Sequence, residues 1–165
     1  MKNNLMKRIS MVVGLAVVIM AIAFNSLTAQ TKGGGGRLEG TWDAQVSITN
    51  CQTGDVIVSF PSIASFMQGG TSIGSTAGIP QSLRTPEHGV WRHVEGNTYE
   101  FRFKTFSFNA QNAPSGWSIV SHIITLDSSA DTYTSSGTVE FFNPIGVQVG
   151  GGCSTAVGTR FTFPN

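Results

Sequence analysis

Gly40-Thr41-Trp42-Asp43-Ala44-Gln45-Val46-Ser47-Ile48-Thr49-Asn50 alternates apolar and polar side chains with little interruption. Trp42, Ala44, Val46 and Ile48 share one face, and Asp43, Gln45, Ser47 and Thr49 share the other. This period of two is the signature of a strand with one dry side and one wet side. The same texture runs to the end of the chain. β-branched and aromatic residues cluster in short runs, broken by Gly, Pro, Asn, Asp and Ser, and no helical period persists. The runs predict eight strands, at residues 40–50, 56–68, 70–77, 89–94, 97–109, 117–127, 131–143 and 153–163. Glu95-Gly96-Asn97 and residues 127–131 have the composition of hairpin turns. The one long irregular link, residues 78–88, holds Pro80 and Pro86.

Two strands depart from simple alternation. Tyr99, Phe101 and Phe103 share a face, but Phe106 and Phe108 fall on the opposite parity, which predicts a bulge or bend near Lys104-Thr105. Residues 117–127 are apolar on both faces (Trp117, Ile119, Val120, Ile123, Ile124), so either their outside is covered or their phase slips.

Upstream of the strands, Lys2, Lys7 and Arg8 precede an apolar run over 11–24, and Leu27-Thr28-Ala29 offers a small-residue cleavage site before Gln30. This is the three-part pattern of a secretory signal. The run falls short of the ~20 apolar residues that a membrane-spanning helix needs. The expected organisation is a signal peptide at 1–29, a flexible glycine-rich linker at 30–37 and a single β-barrel domain at 38–165. The expected location is exported, periplasmic or extracellular, with no membrane span after cleavage.

Composition narrows the function classes. Of the 165 residues 40% are hydrophobic, with eleven Phe and three Trp, so a core can form and intrinsic disorder is excluded. Ten basic residues face nine acidic ones. Removing Lys2, Lys7 and Arg8 with the signal leaves seven against nine, a net charge of −2 that is not suited to a nucleic-acid backbone. Arg92, Arg102 and Lys104 do interleave with Tyr99, Phe101 and Phe103. On a strand, however, the two sets take opposite faces, so the aromatics point inward rather than forming a base-stacking platform.

Cys51 and Cys153 are the two cysteines, and an even count in an exported chain favours a disulfide. Cys51 lies just past the first predicted strand and Cys153 at the start of the last. Those two ends meet in an up-and-down barrel of eight antiparallel strands, where the first and last strands are neighbours. The expected fold class is therefore all-β, an eight-stranded antiparallel up-and-down barrel with the bridge across its seam. If positions 51 and 153 face each other, Trp42 lies opposite Thr162 and diagonal to Arg160, within reach of its guanidinium.

Leu38-Glu39-Gly40-Thr41-Trp42 resembles the Gly-x-Trp signature that opens the first strand of lipocalins and other calycins. Arg160 resembles the arginine that packs across that tryptophan on the family's last strand. The resemblance covers 38–163. It implies a lipocalin-like barrel in which Gly40, Trp42 and Arg160 are structural. The pattern is also similar to that of uncharacterised exported bacterial proteins with this opening.

The chemistry-bearing residues point to binding more than to catalysis. His88 and His93 are five apart on a strand and so face opposite ways, and there is no Cys pair, His-x-His or Glu-x-x-His helix. No metal or cofactor is expected. Nor is there a Gly-x-Ser-x-Gly elbow. An eight-stranded barrel encloses room for side chains or for one small ligand. Phe60, Phe66, Phe101 and Phe103 are the large inward candidates, and Gly137, with Ala64 and Ser135, leaves space beside them. Glu140, between Val139 and Phe141-Phe142, is the candidate polar anchor if it points inward. The expected function is binding of a small apolar molecule inside the barrel. The alternatives are a ligand-free structural or protein-interaction barrel and a barrel-type cyclase or isomerase, which would need an inward acid such as Glu140.

Overall fold

Period-two alternation runs through the central part of the strands in the computed structural model, which describes residues 37–164, and lapses at the exposed starts of the second and last strands and at buried Thr49. The strands are β1 (Gly40–Thr49), β2 (Val56–Met67), β3 (Thr71–Thr76), β4 (Glu87–Glu95), β5 (Thr98–Phe108), β6 (Pro114–Leu126), β7 (Thr132–Phe142) and β8 (Gln148–Arg160). Each pairs antiparallel with its sequence neighbours, and β1 pairs with β8, so the sheet is a closed eight-stranded up-and-down barrel. The signal-peptide expectation and all of the linker except Arg37 lie outside the described residues. Among the described residues no helix is long and apolar enough to cross a membrane.

The Cys51–Cys153 disulfide spans the seam as expected, with Cα atoms 5.2 Å apart. The register is two residues from the expected one. Thr49, not Cys51, pairs with Cys153, and Trp42 lies directly opposite Arg160. Cys51 sits in the turn beyond β1 and reaches back across the seam, so the bridge does not mark a paired position.

Alternation also holds where the sequence suggested a break. The β5–β6 register is regular through Lys104-Thr105 and shifts only at Ser107/Phe108, next to the turn. Thr105 is buried inside, and Phe106 stands outside, half exposed, with the Lys104 ammonium 5.0 Å from its ring centre. Trp117 is on the outer face too, stacked on Phe142 with centroids 5.5 Å apart and lying under the same ammonium. The outward apolar residues of β6 are thus partly covered by side chains, with no slip of phase.

Strand direction gives the barrel two different ends. The β2–β3, β4–β5 and β6–β7 turns gather at one end, together with residues 37–39 and the stretch after Arg160. That end is plugged. Leu38, Trp42, Phe66, Trp91, Tyr99, Ile124, Leu126 and Tyr133 pack there as one buried cluster. Trp42 Nε1 donates to Leu38 O at 2.9 Å, and Tyr133 meets the Trp42 ring edge-on. Arg160 lies 4.2 Å over Trp42 and donates to the carbonyls of Ala130, Glu39 and Arg37 at 2.7–3.0 Å. One guanidinium therefore ties β8 to the β6–β7 turn and to the approach to β1, using the planar fork that distinguishes arginine from lysine. Gly40 has a φ of 122°, and a Cβ there would stand 2.8 Å from Arg160 Nη1. The positive φ favours glycine two residues before the tryptophan, and a side chain there would also displace the guanidinium from its place over the ring.

Candidate ligand cavity

Inward parity and incomplete filling leave a cavity of about 290 Å³ along the barrel axis. Its wall is mainly apolar. Ala44, Val46 and Ile48 come from β1, Phe60 and Phe66 from β2, Phe101 and Phe103 from β5, and Val120 and Ile124 from β6. Phe101 holds its neighbours in place, edge-on to Phe66 at 5.3 Å and tilted against Phe103 at 5.2 Å. The plug closes the cavity at one end. At the other, Val58 and Phe141 line it while remaining 51% and 44% exposed, so solvent reaches the interior there. Gly78 and Ile79 of the β3–β4 link lie at this mouth, with the Phe60 ring pressed against Gly78.

Of the sequence-derived candidates, Phe60, Phe66, Phe101 and Phe103 all reach the cavity wall. Gly137 faces inward but provides no space. A Cβ there would meet Ser121 O at 1.9 Å and His122 Cδ2 at 2.5 Å. Its smallness serves the close approach of β6 and β7, and the His122 ring occupies the volume beside it. Gly158 is similar, lying under the Tyr133 ring. Glu140 does not face inward. It stands on the outer surface, its side chain 38% exposed and 3.8 Å from Arg102, because it alternates with inward Val139 and Phe141.

The acid that lines the cavity is Glu87, which by composition falls in the link before β4 but stands at that strand's start. Its carboxylate pairs with Arg84 at 2.9 Å, and the two side chains are only 8% and 11% exposed. Arg84 also donates from Nε to Thr105 Oγ1 at 3.2 Å and lies over the Phe103 ring. Burial raises the Glu87 pKa and lowers that of Arg84, and the attraction between them opposes both shifts. The pair is an ion pair held in a largely apolar wall.

His122 is the second polar group that the sequence did not single out. It is buried on β6 between Ser135 Oγ at 3.0 Å and Ser154 Oγ at 2.8 Å. Burial lowers its pKa to about 4, so the ring is neutral at pH 7, with one nitrogen donating and the other accepting. Tyr133, also on the wall, has its pKa pushed up to about 12, mainly by burial and further by the Glu87 charge. Parity alone could have flagged His122, because Ser118, Val120, His122, Ile124 and Leu126 share the inward face of β6. Its serine partners on β7 and β8 follow only from the strand register.

His88 and His93 take no part in the cavity. His88 is exposed, and His93 Nε2 lies 2.9 Å from Gly96 O in the β4–β5 turn. A furrow of about 630 Å³ on the outside of β4–β7, bordered by Val90, Arg92, Arg102 and Thr138, lies between outward side chains rather than within the barrel.

Fold and cavity together define the class as a closed eight-stranded antiparallel β-barrel, lipocalin-like in shape, with one end plugged and an apolar interior carrying a few polar groups. The chain has no significant match among models of known protein families, among curated proteins or among solved structures.

Proposed function

We propose that this protein is an exported carrier whose barrel holds one small, largely apolar molecule. The observation that carries the reading is the phenylalanine-lined cavity of about 290 Å³, plugged at one end and reached by solvent at the other. Small-molecule sites are concave, mostly apolar and supplied with a few fixed polar groups, and Arg84, Glu87 and His122 fit that description. At ~30 Å³ per non-hydrogen group the space suits about ten such atoms, a medium-chain lipid fragment or a one-ring metabolite. Export is supported by the signal-like pattern at 1–29 and by the disulfide, which persists in oxidising compartments.

Mass spectrometry of the natively purified, exported protein, before and after solvent extraction, tests this reading. The expected result is a stoichiometric small molecule on a chain that begins at Gln30. An empty protein would favour the ligand-free interaction barrel. That second reading draws on the apolar residues projecting around the mouth, Val56, Ile57, Ile145 and Val149, which are 62–84% exposed.

A further inference from the structure

Arg84 and Glu87 stand in the cavity wall with hydrogen-bonding capacity to spare. Arg84 donates from Nε to Thr105 and from Nη2 to Glu87 Oε1, which leaves Nη1 without a partner among the described residues. Glu87 Oε2 accepts no hydrogen bond from them. The Tyr99 hydroxyl is the one fully enclosed side-chain polar atom among the described residues that lacks a partner. The unused atoms of Arg84 and Glu87 are therefore not fully enclosed, and both residues line the cavity, with Glu87 Oε2 beside Gly74. One ion pair presents an unused donor and an unused acceptor to the same interior.

Charge decides what can use them. The pair is neutral as a whole, and the other titratable groups on the wall, His122 and Tyr133, are uncharged at pH 7. A ligand carboxylate would place a second anion beside Glu87, with a single guanidinium to serve both and little water to screen them. A neutral head that both donates and accepts adds no charge and meets both unused atoms.

Resting on the reading of the interior as a ligand site, we infer that the occupant is a neutral amphiphile, with an amide or hydroxyl head seated on Arg84 and Glu87. Its carbon tail lies among Phe60, Phe101 and Phe103. A carboxylic acid of the same size enters only by taking up a proton.

Octanamide and octanoate, which have the same size and shape, separate these cases by isothermal titration at pH 7 in two buffers of different ionisation enthalpy. Octanamide is expected to bind more tightly, on the order of tenfold to a hundredfold, because an acid kept neutral well above its ordinary pKa loses about tenfold per pH unit. About one proton should be taken up with each octanoate and none with octanamide. Glu87→Gln frees Arg84 for a carboxylate and should narrow the preference by roughly tenfold or reverse it. Octanoate binding to the native protein as tightly as octanamide, without proton uptake, overturns the inference and leaves the carrier reading standing. Failure of both ligands to bind overturns the two together. The proton count is read on the native protein and so decides the matter even if Glu87→Gln does not fold.

Discussion

The two ends of the barrel are built from the same alternating strands, yet one is solid and the other hollow. At the plugged end, Trp42, Tyr133, Trp91 and Tyr99 interlock, and Arg160 holds three backbone carbonyls over the Trp42 ring. At the mouth the inward positions are Val58, Phe60 and Phe141, and the turns above them carry exposed apolar side chains. The difference shows where stability is concentrated. Large rings with a hydrogen-bonding handle pack to closure at one end, and smaller side chains leave the interior of the other accessible.

The sharpest way to break that contrast is Trp42→Ala, which should cost about 3–5 kcal/mol in urea unfolding, as expected for a large aromatic removed from a packed cluster. Removing the seam bridge with Cys51→Ser and Cys153→Ser together should cost about 2–4 kcal/mol, since a long loop of 102 residues is no longer constrained in the unfolded chain. Loss of cooperativity at the mouth, with the plug intact, would locate the effect of the bridge at the open end.

Between the two ends lies His122, whose effect is read through pH. Its folded pKa is depressed to about 4 from the ordinary 6.5, so its contribution is present above pH 6.5 and is lost as pH falls toward 4. Up to about 3 kcal/mol should disappear across that window. His122→Asn should flatten the slope there. Asp127, whose pKa is lowered to about 2 mainly by its bonds to Ser129 and the Thr132 backbone, acts only below the window. The raised pKa of Glu87 works in the opposite sense, so it cannot supply the same slope. An unchanged profile in the variant would contradict the assignment. The smallest effect is expected at the rim, where Ile145→Ser should shift stability by no more than about 0.5 kcal/mol.

Much of this architecture was legible in the sequence because alternation is a local property. The first strand, the strand count, the closing seam and the Trp42–Arg160 contact all follow from parity and from one pair of cysteines. The register was off by two because a disulfide can join a turn to a strand, as Cys51 does. Phe106 falls on the polar parity of β5, which by sequence alone suggests a bend. In the fold, a lysine over its ring makes an outward phenylalanine tolerable. The polar part of the cavity was the least legible. Glu87 lies before the first recognisable residue of β4, and it becomes an interior acid only because the strand begins two residues earlier than its composition suggests. The strand that carries Glu140 alternates without a break, and this places Glu140 outside.

If the barrel is a carrier, the space behind Phe60 is an occupiable site and not a packing defect. Val46→Phe tests this, since Val46 lines the cavity from β1 beside the buried cluster of the plug, and a larger ring there would take up the open space. Titrating an environment-sensitive apolar dye into the two proteins should give one site per chain in the native protein. In Val46→Phe that site should be lost while the unfolding midpoint is nearly unchanged. Equal dye binding by both proteins would rule out the cavity as the site and place the binding surface elsewhere.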